Sequence, residues 1–283
     1  MLKCSTIGFF DGMHSGHQYV LKQLVEVARK SQLSPQVITF SQHPNEILKG
    51  MPPKRLTNNR ERDSLIHVPI VIYNFENVYK MTAEEFMREI SEKSETEILL
   101  MGYNQRFGCD QPPHFEDYVE IGRRAGVEVR QLTEFTNGGR PVSSTIIRNM
   151  ITNGEFNEAL PLLGHDYIII GKVIQGRHIG RKIGYPTANL QVSPDKLLPQ
   201  NGVYSASAVT EDKKEYKAIV NIGYNPTINK NTERTVEAYL IGFNGNLYEQ
   251  DMTLYLNKFI RKEEKFANLE DLKTQIGQDI EVL

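Results

Sequence analysis

The first half of the chain alternates short apolar runs with longer amphipathic stretches. Apolar runs rich in Ile, Val and Leu are typical of parallel strands that are covered on both faces. The stretches between them predict helices, and the clearest is residues 82–93, where Thr82 and Glu85 fit a capping box. Repeated strand–helix–strand units predict a doubly wound α/β domain whose ligand lies at the carboxyl ends of the strands. The predicted strands lie near residues 4–9, 36–41, 68–74, 97–102 and 127–132.

From about residue 167 the pattern changes to short runs of alternating polarity, separated by Gly and Asn turns. Alternation with a period of two residues is typical of antiparallel strands with one buried face. An Asn-Gly turn in residues 243–246 predicts a hairpin between the two runs that flank it. The second half is therefore predicted to be a small antiparallel β-barrel. Its runs cover residues 167–174, 202–209, 216–223, 234–243 and 246–259.

A terminal helix is predicted over residues 268–280, with Asn268 as its N-cap. Between the two halves, two short helical segments lead into the first barrel strand. We therefore predict a domain boundary that divides the chain into residues 1–160 and 161–283. The buried stripe predicted for the terminal helix consists of Leu269, Leu272 and Ile276.

The composition narrows the class of protein. A net charge of −2 and a pI near 6.4 argue against a general nucleic-acid or membrane-surface binder, because either needs a broad basic face. Cys4 and Cys109 are too few for a disulfide framework. The N-terminus lacks the long apolar core of a signal peptide, and no apolar run reaches the roughly 18 to 20 residues that span a bilayer. We therefore expect a cytoplasmic protein without a nucleic-acid or membrane partner, and we assume a monomer.

Candidate chemistry lies at the first strand-to-helix turn, GFFDGMHSGH in residues 8–17. His14 and His17 share one face of the helix start, where unpaired backbone N–H groups favour an anion. Imidazoles can donate to the charge that develops on phosphorus, so this turn points to nucleotidyl transfer. The alternative is that one histidine caps the helix and the other packs against the strand. The other residues assigned to this phosphate turn are Gly8, Phe9, Asp11, Gly12 and Gly16.

Further motifs follow the histidine turn along the whole chain. They are TFSQHP at 39–44, GYNQRFG at 102–108, SSTIIR at 143–148, GKVIQGRHIGRKIGYPTANL at 171–190, NGVY at 201–204, NIGYNPT at 221–227, VEAYL at 236–240 and RKEEKFANLEDLKTQI at 261–276. With them the chain resembles the prokaryotic bifunctional riboflavin kinase/FMN adenylyltransferase family, often called FAD synthetase. The histidine turn alone indicates only a nucleotidyltransferase superfamily, whereas its combination with the GRxxGxPTAN pattern is specific.

This resemblance implies two consecutive reactions. The C-terminal domain would phosphorylate riboflavin to FMN, and the N-terminal domain would transfer AMP from ATP to FMN, giving FAD and pyrophosphate. Mg²⁺ is implied in both halves, since phosphoryl groups are transferred in each. In the N-terminal domain the resemblance assigns the phosphates to His14 and His17. It assigns the polyphosphate to Ser143, Ser144, Thr145 and Arg148, and it places His43, Asn104 and Arg106 in loops that contact flavin or nucleotide.

In the kinase half the resemblance makes Thr187 and Asn189 ligands of Mg²⁺ and ATP. Glu237 would accept a proton from the riboflavin 5′-hydroxyl, and Arg261 would belong to a flavin-site lid. The glycines equally fit ordinary barrel turns, and Glu237 equally fits a solvent-facing position on a strand. The glycine-rich turn that approaches the phosphates contains Gly176, Gly180, Gly184 and Pro186.

The chain departs from the family pattern in the first half. Ser41 and Gln42 stand where the family usually has Asp and Pro, and Gln105 stands where the loop commonly has an aromatic residue. Cys109 replaces a basic or small residue. We predict altered affinity for FMN from these changes. Three hypotheses stay open: a bifunctional enzyme, a single-activity FAD synthetase whose barrel is a flavin-binding or structural module, and a non-enzymatic flavin-binding regulator.

Overall fold

The computed structural model describes residues 1–50, 54–176, 180, 184–224 and 234–283. The motif residues 177–179, 181–183 and 225–227 lie outside this part. The chain divides into two compact units, one formed by Met1–Lys54 and Arg62–Ser143 and the other by Arg55–Glu61 and Ser144–Leu283. Within the described ranges, no helix has the length and apolar character needed to cross a membrane.

Five parallel strands form the main sheet of the first unit: β1 Lys3–Ile7, β2 Ser34–Phe40, β3 Ile70–Tyr73, β4 Thr96–Met101 and β5 Glu128–Gln131. Their order is β3-β2-β1-β4-β5, and all neighbouring pairs are parallel. The strand order reverses between β1 and β4, so the switch point where such sheets bind ligands lies at the carboxyl ends of these two strands. The predicted strands and the doubly wound α/β class are confirmed.

Helices cover both faces of this sheet. The helices that lie between β1 and β5 in the chain are α1 Ser15–Lys30, α2 Pro44–Lys49, α3 Asn59–Leu65, α4 Phe75–Val78, α5 Ala83–Lys93 and α6 Phe115–Ala125. On one face α1 buries Leu24 and Ala28 against Val37, and on the other α5 buries Phe86 against Ile38. Val37 and Ile38 point to opposite faces because side chains alternate along a strand. The predicted capping box of α5 is present, with Thr82 and Glu85 bonding each other's backbone N–H. A short hairpin follows the sheet, β6 Thr136–Asn137 and β7 Arg140–Pro141.

Six antiparallel strands close the barrel of the second unit: β8 Tyr167–Ile174, β9 Thr187–Val192, β10 Gly202–Val209, β11 Glu215–Tyr224, β12 Arg234–Leu240 and β13 Asp251–Arg261. They follow the order β10-β11-β12-β9-β8-β13 around the barrel. The predicted antiparallel barrel is confirmed, but β9 is a strand that the run pattern did not predict. Its segment TANLQV alternates polar and apolar residues, but Leu190 is its one buried residue, and Thr187 and Asn189 belong to the motif that the resemblance assigns to Mg²⁺ and ATP.

The hairpin predicted at residues 243–246 is wrong. β12 pairs with β11 and β9, whereas β13 pairs with β10 and β8, so the connection joins strands that are not neighbours. Within this connection, the Asn246 side chain accepts a hydrogen bond from the Tyr248 N–H at 2.9 Å. Closure of the barrel, which involves distant strands, decides the pairing here.

Three further helices belong to the second unit: α7 Ser144–Asn153, α8 Phe156–Leu163 and α9 Leu269–Glu281. The N-cap predicted for α9 is present, because Asn268 Oδ1 accepts from the Asp271 N–H at 2.9 Å. Its predicted buried stripe is partly wrong, since Leu269 is 50% exposed. The buried residue of α9 is instead Asp279, whose carboxylate forms a two-pronged ion pair with Arg261 at 2.7 and 2.8 Å.

The segment Arg55–Glu61 comes from the first half of the sequence but packs in the second unit. Its Glu61 carboxylate lies 3.1 Å from the Lys196 ammonium, and both side chains are fully buried. The Lys196 ammonium also donates to the Ile168 carbonyl at 2.6 Å, and Glu61 accepts from the Ile170 N–H at 2.9 Å. Such hydrogen bonds offset the cost of burying two charges. The barrel unit is therefore discontinuous in sequence.

Candidate active sites

The turn between β1 and α1 has an unusual backbone. Phe10, Gly12 and Met13 have positive φ angles of 56°, 80° and 41°. Glycine adopts such angles without cost, but Phe and Met do so only where the surrounding structure compensates, and such strain is common at functional sites. Phe10 and Met13 are both buried, which holds them in place. The turn lies at the carboxyl end of the central strand, at the switch point of the sheet.

The structure brings His14 and His17 together at the start of α1. Their ring centroids are 3.6 Å apart and the rings are 19° from parallel. His14 is the N-cap residue, and its Nδ1 accepts from the His17 N–H at 3.4 Å. A Cβ on Gly16 would lie 3.2 Å from the His14 ring, so glycine leaves room for that ring against the first turn. The two imidazoles thus form one stacked pair at a helix N-terminus.

Burial holds the pKa of His17 well below its ordinary value, and the neighbouring His14 lowers it further. His17 Nδ1 is enclosed and has no hydrogen-bond partner among the residues that the structure describes. The imidazole is therefore neutral near pH 7, and it keeps one N–H donor. A polyphosphate beside it would favour the protonated form and raise its pKa. The pair can thus supply donors, and positive charge once an anion is bound.

We expect the His17 resonances to show no titration between about pH 6 and pH 8 in the free protein, because the folded pKa lies below that window. Adding pyrophosphate should shift the pKa upwards into the window. The unfolded chain takes up a proton at His17 near its ordinary pKa of about 6.5, so acidification below that value should weaken folding. Histidine-selective NMR titration, with and without pyrophosphate, measures the pKa of His17. A free-protein midpoint at or above the ordinary value would contradict the prediction.

The remaining residues of the phosphate turn pack around this pair. A Cβ on Gly8 would lie 2.9 Å from the Phe10 ring, and the Phe10 ring meets His17 edge-on with centroids 5.1 Å apart. Asp11 is buried. Phe9 turns the other way and contacts the ring of His43 edge-on, with centroids 4.8 Å apart. His43, from the loop after β2, therefore contacts the turn, and its part in ligand binding stays a prediction.

An aromatic cavity of about 600 Å³ opens beside Phe9. Its described lining includes the cations Lys80 and Arg106 but no carboxylate. The Arg106 guanidinium donates to the Pro113 carbonyl at 3.1 Å, while Asn104 is exposed in the same loop. A flat aromatic ligand with a negative charge fits this lining. The aromatic residues that line the cavity are Phe9, Phe40, Phe75, Tyr79, Phe86 and Phe107.

Gln105, which replaces the usual aromatic residue, lies in the cavity wall. Its Nε2 donates to the Ile7 carbonyl at 2.7 Å, and its Oε1 accepts from the Gly102 N–H at 3.0 Å. It therefore ties together the ends of β1 and β4. Gln42 has a buried Oε1 without a hydrogen-bond partner in the described ranges. Cys109 is an exposed free thiol at the cavity rim.

The predicted polyphosphate motif is divided between the units. Ser143 ends the first unit, whereas Ser144, Thr145 and Arg148 lie on α7 and cluster with the second. Their part in phosphate binding stays a prediction. The sequence motifs do not mark the rest of the aromatic lining or the fully buried Arg62. Phe40 and Phe107 lie inside two quoted motifs, so aromatic residues next to strand ends are the signal that could have found the cavity.

The second candidate site lies on the outer surface of the barrel. Val236, Ala238 and Leu240 of β12 point inwards and are buried, so Glu237 between them points outwards. Asn189 of β9 is its direct partner across the strand pair. Thr187, two residues before Asn189, shares this face, and its hydroxyl donates to Glu237 Oε2 at 3.4 Å. A hydroxyl, a carboxamide and a carboxylate therefore meet on one face.

Two of the predicted glycines, Gly176 and Gly180, lie close to this face. A Cβ on Gly176 would fall 2.1 Å from Asn189 Nδ2, and one on Gly180 would fall 2.2 Å from the Tyr185 carbonyl oxygen. Gly184 has a φ of +87°, which glycine adopts without strain. These positions are thus restricted to glycine by space or by conformation. Gly176 lets the backbone come close to Asn189, and Gly180 lets it come close to Thr187.

A cavity of about 530 Å³ adjoins Thr187. Pro186 lines it together with residues 243–248. These residues belong to the connection for which the Asn-Gly pattern wrongly predicts a hairpin. Arg261 has a different environment, because its guanidinium is held by Asp279 and lies 5.8 Å from the Phe266 ring centroid. Its proposed part in a flavin-site lid is untested by these contacts. The barrel therefore places Thr187, one of the three oxygen donors, at the wall of this cavity.

Family models match both halves of the chain. The FAD synthetase family model matches residues 3–146, and the riboflavin kinase family model matches residues 163–283. A crystal structure described as a macrolide-efflux protein from Streptococcus pneumoniae has a TM-score of 0.86 and 28% identity, and the match covers 99% of this chain and 93% of that one.

Two relatives are named bifunctional riboflavin kinase/FMN adenylyltransferase. The protein from Buchnera aphidicola subsp. Schizaphis graminum is 33% identical over 287 residues, covering 98% of this chain and 92% of its own. The protein from Escherichia coli is 33% identical over 281 residues, covering 97% of this chain and 89% of its own. The chain therefore belongs to the bifunctional riboflavin kinase/FMN adenylyltransferase family.

Proposed function

We propose that this chain makes FAD in two steps, phosphorylating riboflavin with ATP to give FMN and then transferring AMP from a second ATP to FMN, with release of pyrophosphate. The observation that carries the proposal is that each unit assembles its own chemical centre. The first has a stacked histidine pair at a helix N-terminus. The second has an oxygen-donor face around Glu237. We assign the two reactions to residues 1–160 and 161–283.

In adenylyl transfer an FMN phosphate oxygen attacks the α-phosphorus of ATP, and pyrophosphate leaves. His14 and His17 donate hydrogen bonds to the phosphate oxygens and stabilise the charge that grows there. The aromatic cavity beside Phe9 holds the flavin ring, with Lys80 and Arg106 at its wall attracting the phosphate. The changes at Gln42 and Gln105 affect how tightly FMN is held, because both lie in the loops around this cavity.

In the kinase step the riboflavin 5′-hydroxyl attacks the γ-phosphorus of ATP. Glu237 accepts the hydroxyl proton, and its half-buried position on β12 keeps the carboxylate next to Thr187. The nucleotide occupies the cavity lined by Pro186 and residues 243–248. Gly176 and Gly180 allow the backbone to approach the phosphates.

Mg²⁺ fits the barrel site by the chemistry of its donors. Thr187, Asn189 and Glu237 present hard oxygen atoms on one face, and Mg²⁺ binds few protein oxygens while phosphate oxygens and water complete its shell. When bound, the ion would neutralise charge on the transferred phosphoryl group. Thr187 and Asn189 would hold it. Because both reactions use ATP, we also infer that the protein works in the cytoplasm on small-molecule substrates.

One assay tests the proposal. Riboflavin, ATP and MgCl₂ are incubated with the protein, and flavins are separated by chromatography; FMN should form first and FAD afterwards. A parallel reaction supplies FMN in place of riboflavin and should give FAD directly. A protein that makes FAD only from added FMN would be a single-activity FAD synthetase. A protein that converts neither flavin would be a flavin-binding regulator, and the proposed function would be wrong.

A further inference from the structure

Arg62 is an arginine in the interior of the first unit, with 1% of its surface exposed. Arginine is rarely buried to this extent unless its charge is paired and its donors are used. Its Nε donates to Asp63 Oδ1 at 2.8 Å, and its Nη1 donates to the Phe40 carbonyl at 3.0 Å. The residue follows Glu61 in α3 and is used by neither of the reactions described above.

The contacts of Arg62 lead to the ligand edge of the sheet. Phe40 is the last residue of β2, so its carbonyl lies where the sheet binds ligands. The guanidinium carbon also lies 5.5 Å from the centroid of the Phe9 ring, a favourable cation–π distance. Phe9 in turn contacts His43 edge-on. One side chain therefore holds both the end of β2 and the ring that adjoins the phosphate turn.

We propose that Arg62 is a positioning residue for adenylyl transfer, acting through Phe9 and the Phe40 carbonyl on the phosphate turn. This inference rests on the proposed adenylyltransferase function. The planar guanidinium can donate along several directions and pack its face on a ring at the same time, whereas a lysine ammonium is a point charge. The role depends on this geometry and not on positive charge alone. Misplacement of reacting groups by about 1 Å costs roughly 100-fold in rate.

The decisive variant is Arg62→Lys, which keeps the charge and loses the planar fork. The kcat for FAD formation from FMN should fall about 10- to 100-fold, while FMN formation from riboflavin stays unchanged. Arg60→Lys is the matched control on the same helix, because Arg60 is exposed and pairs with Asp251. Full FAD synthesis by Arg62→Lys, or an equal loss of both activities, would overturn the proposal.

A double-mutant cycle with Phe9→Leu separates positioning from general destabilisation. If Arg62 acts through Phe9, the double variant should be about as slow as the slower single variant, because the second change removes a contact already lost. If the loss of kcat in the double variant equals the product of the two single losses, the two residues act independently and Arg62 does not act through Phe9. The cycle compares the kcat for FAD formation from FMN. The kinase activity of each variant, which requires a folded protein, serves as the internal control.

A readout without turnover keeps this test separate from the proposed function. The His43 ring lies 4.8 Å from the Phe9 ring, so the ring current of Phe9 shifts the His43 proton resonances. Arg62→Lys should move these resonances towards the values of Phe9→Leu, whereas Arg60→Lys should leave them in place. Unmoved His43 resonances in Arg62→Lys would overturn the positioning role, even if the wild-type protein made no FAD.

Discussion

Replacing both histidines of the phosphate turn, as His14→Asn with His17→Gln, should slow FAD formation from FMN by about 1,000-fold or more. Removing one preorganised donor to a developing charge typically costs 100- to 1,000-fold in kcat, and the stacked pair supplies two. Asn at position 14 keeps a side chain that can cap α1, since Asn is among the preferred N-cap residues. The loss therefore reports on chemistry more than on helix stability.

Kinase activity provides the internal control for this variant. FMN formation from riboflavin should be unchanged, because the barrel site uses Thr187, Asn189 and Glu237 instead. His67→Asn is the matched control, since His67 is an exposed histidine of the same unit. Initial rates of FAD formation, measured at saturating ATP, decide the question. Near-native FAD synthesis in the double variant would remove the histidine pair from the mechanism.

The sequence predicts those elements that are determined by residues a few positions apart. The parallel strands follow apolar runs, and the capping box at Thr82 follows from two residues three positions apart. The histidine pair belongs to the same class, because one helical turn fixes which residues share a face. Its stacking at 3.6 Å is a tertiary detail, set by Gly16 and the buried Phe10.

Local patterns do not predict features that depend on contacts between distant segments, such as the order of the barrel strands. The connection 241–250 carries an Asn-Gly signal, but closure of the barrel places β9 and β8 between the strands that it joins. β9 alternates polar and apolar residues, and Thr187 and Asn189 on its outward face belong to the GRxxGxPTAN motif. A binding motif and a strand coincide here, and the motif alone does not reveal the strand.

Local patterns also do not predict which charged residues are buried. Arginine and aspartate are surface residues in most proteins, so no local pattern marks Arg62 or Asp279 as interior. Each is buried because a partner compensates its charge, Asp63 for the first and Arg261 for the second. Such partners become visible only when the chain is folded. Arg62 is the clearest case, since the ring it contacts lies in the phosphate turn.

The Glu237→Gln variant should lose FMN formation from riboflavin by about 100- to 10,000-fold, the usual contribution of a general base. Glutamine has nearly the same shape, and its amide oxygen can still accept the Thr187 hydroxyl, so β9 and β12 should remain paired. It cannot take the proton of the riboflavin 5′-hydroxyl. FAD formation from added FMN should continue at the wild-type rate, because that reaction belongs to the other unit.

Two comparisons make this result decisive. Glu215→Gln removes an exposed glutamate of the neighbouring strand β11, and it should leave both activities unchanged. With riboflavin as the only flavin, Glu237→Gln should accumulate neither FMN nor FAD, and adding FMN should restore FAD synthesis. Chromatography of the flavins follows each step separately. If FMN formation were unchanged, Glu237 would be an ordinary outward-facing residue of β12, and the proton would have to go to another group on the barrel face.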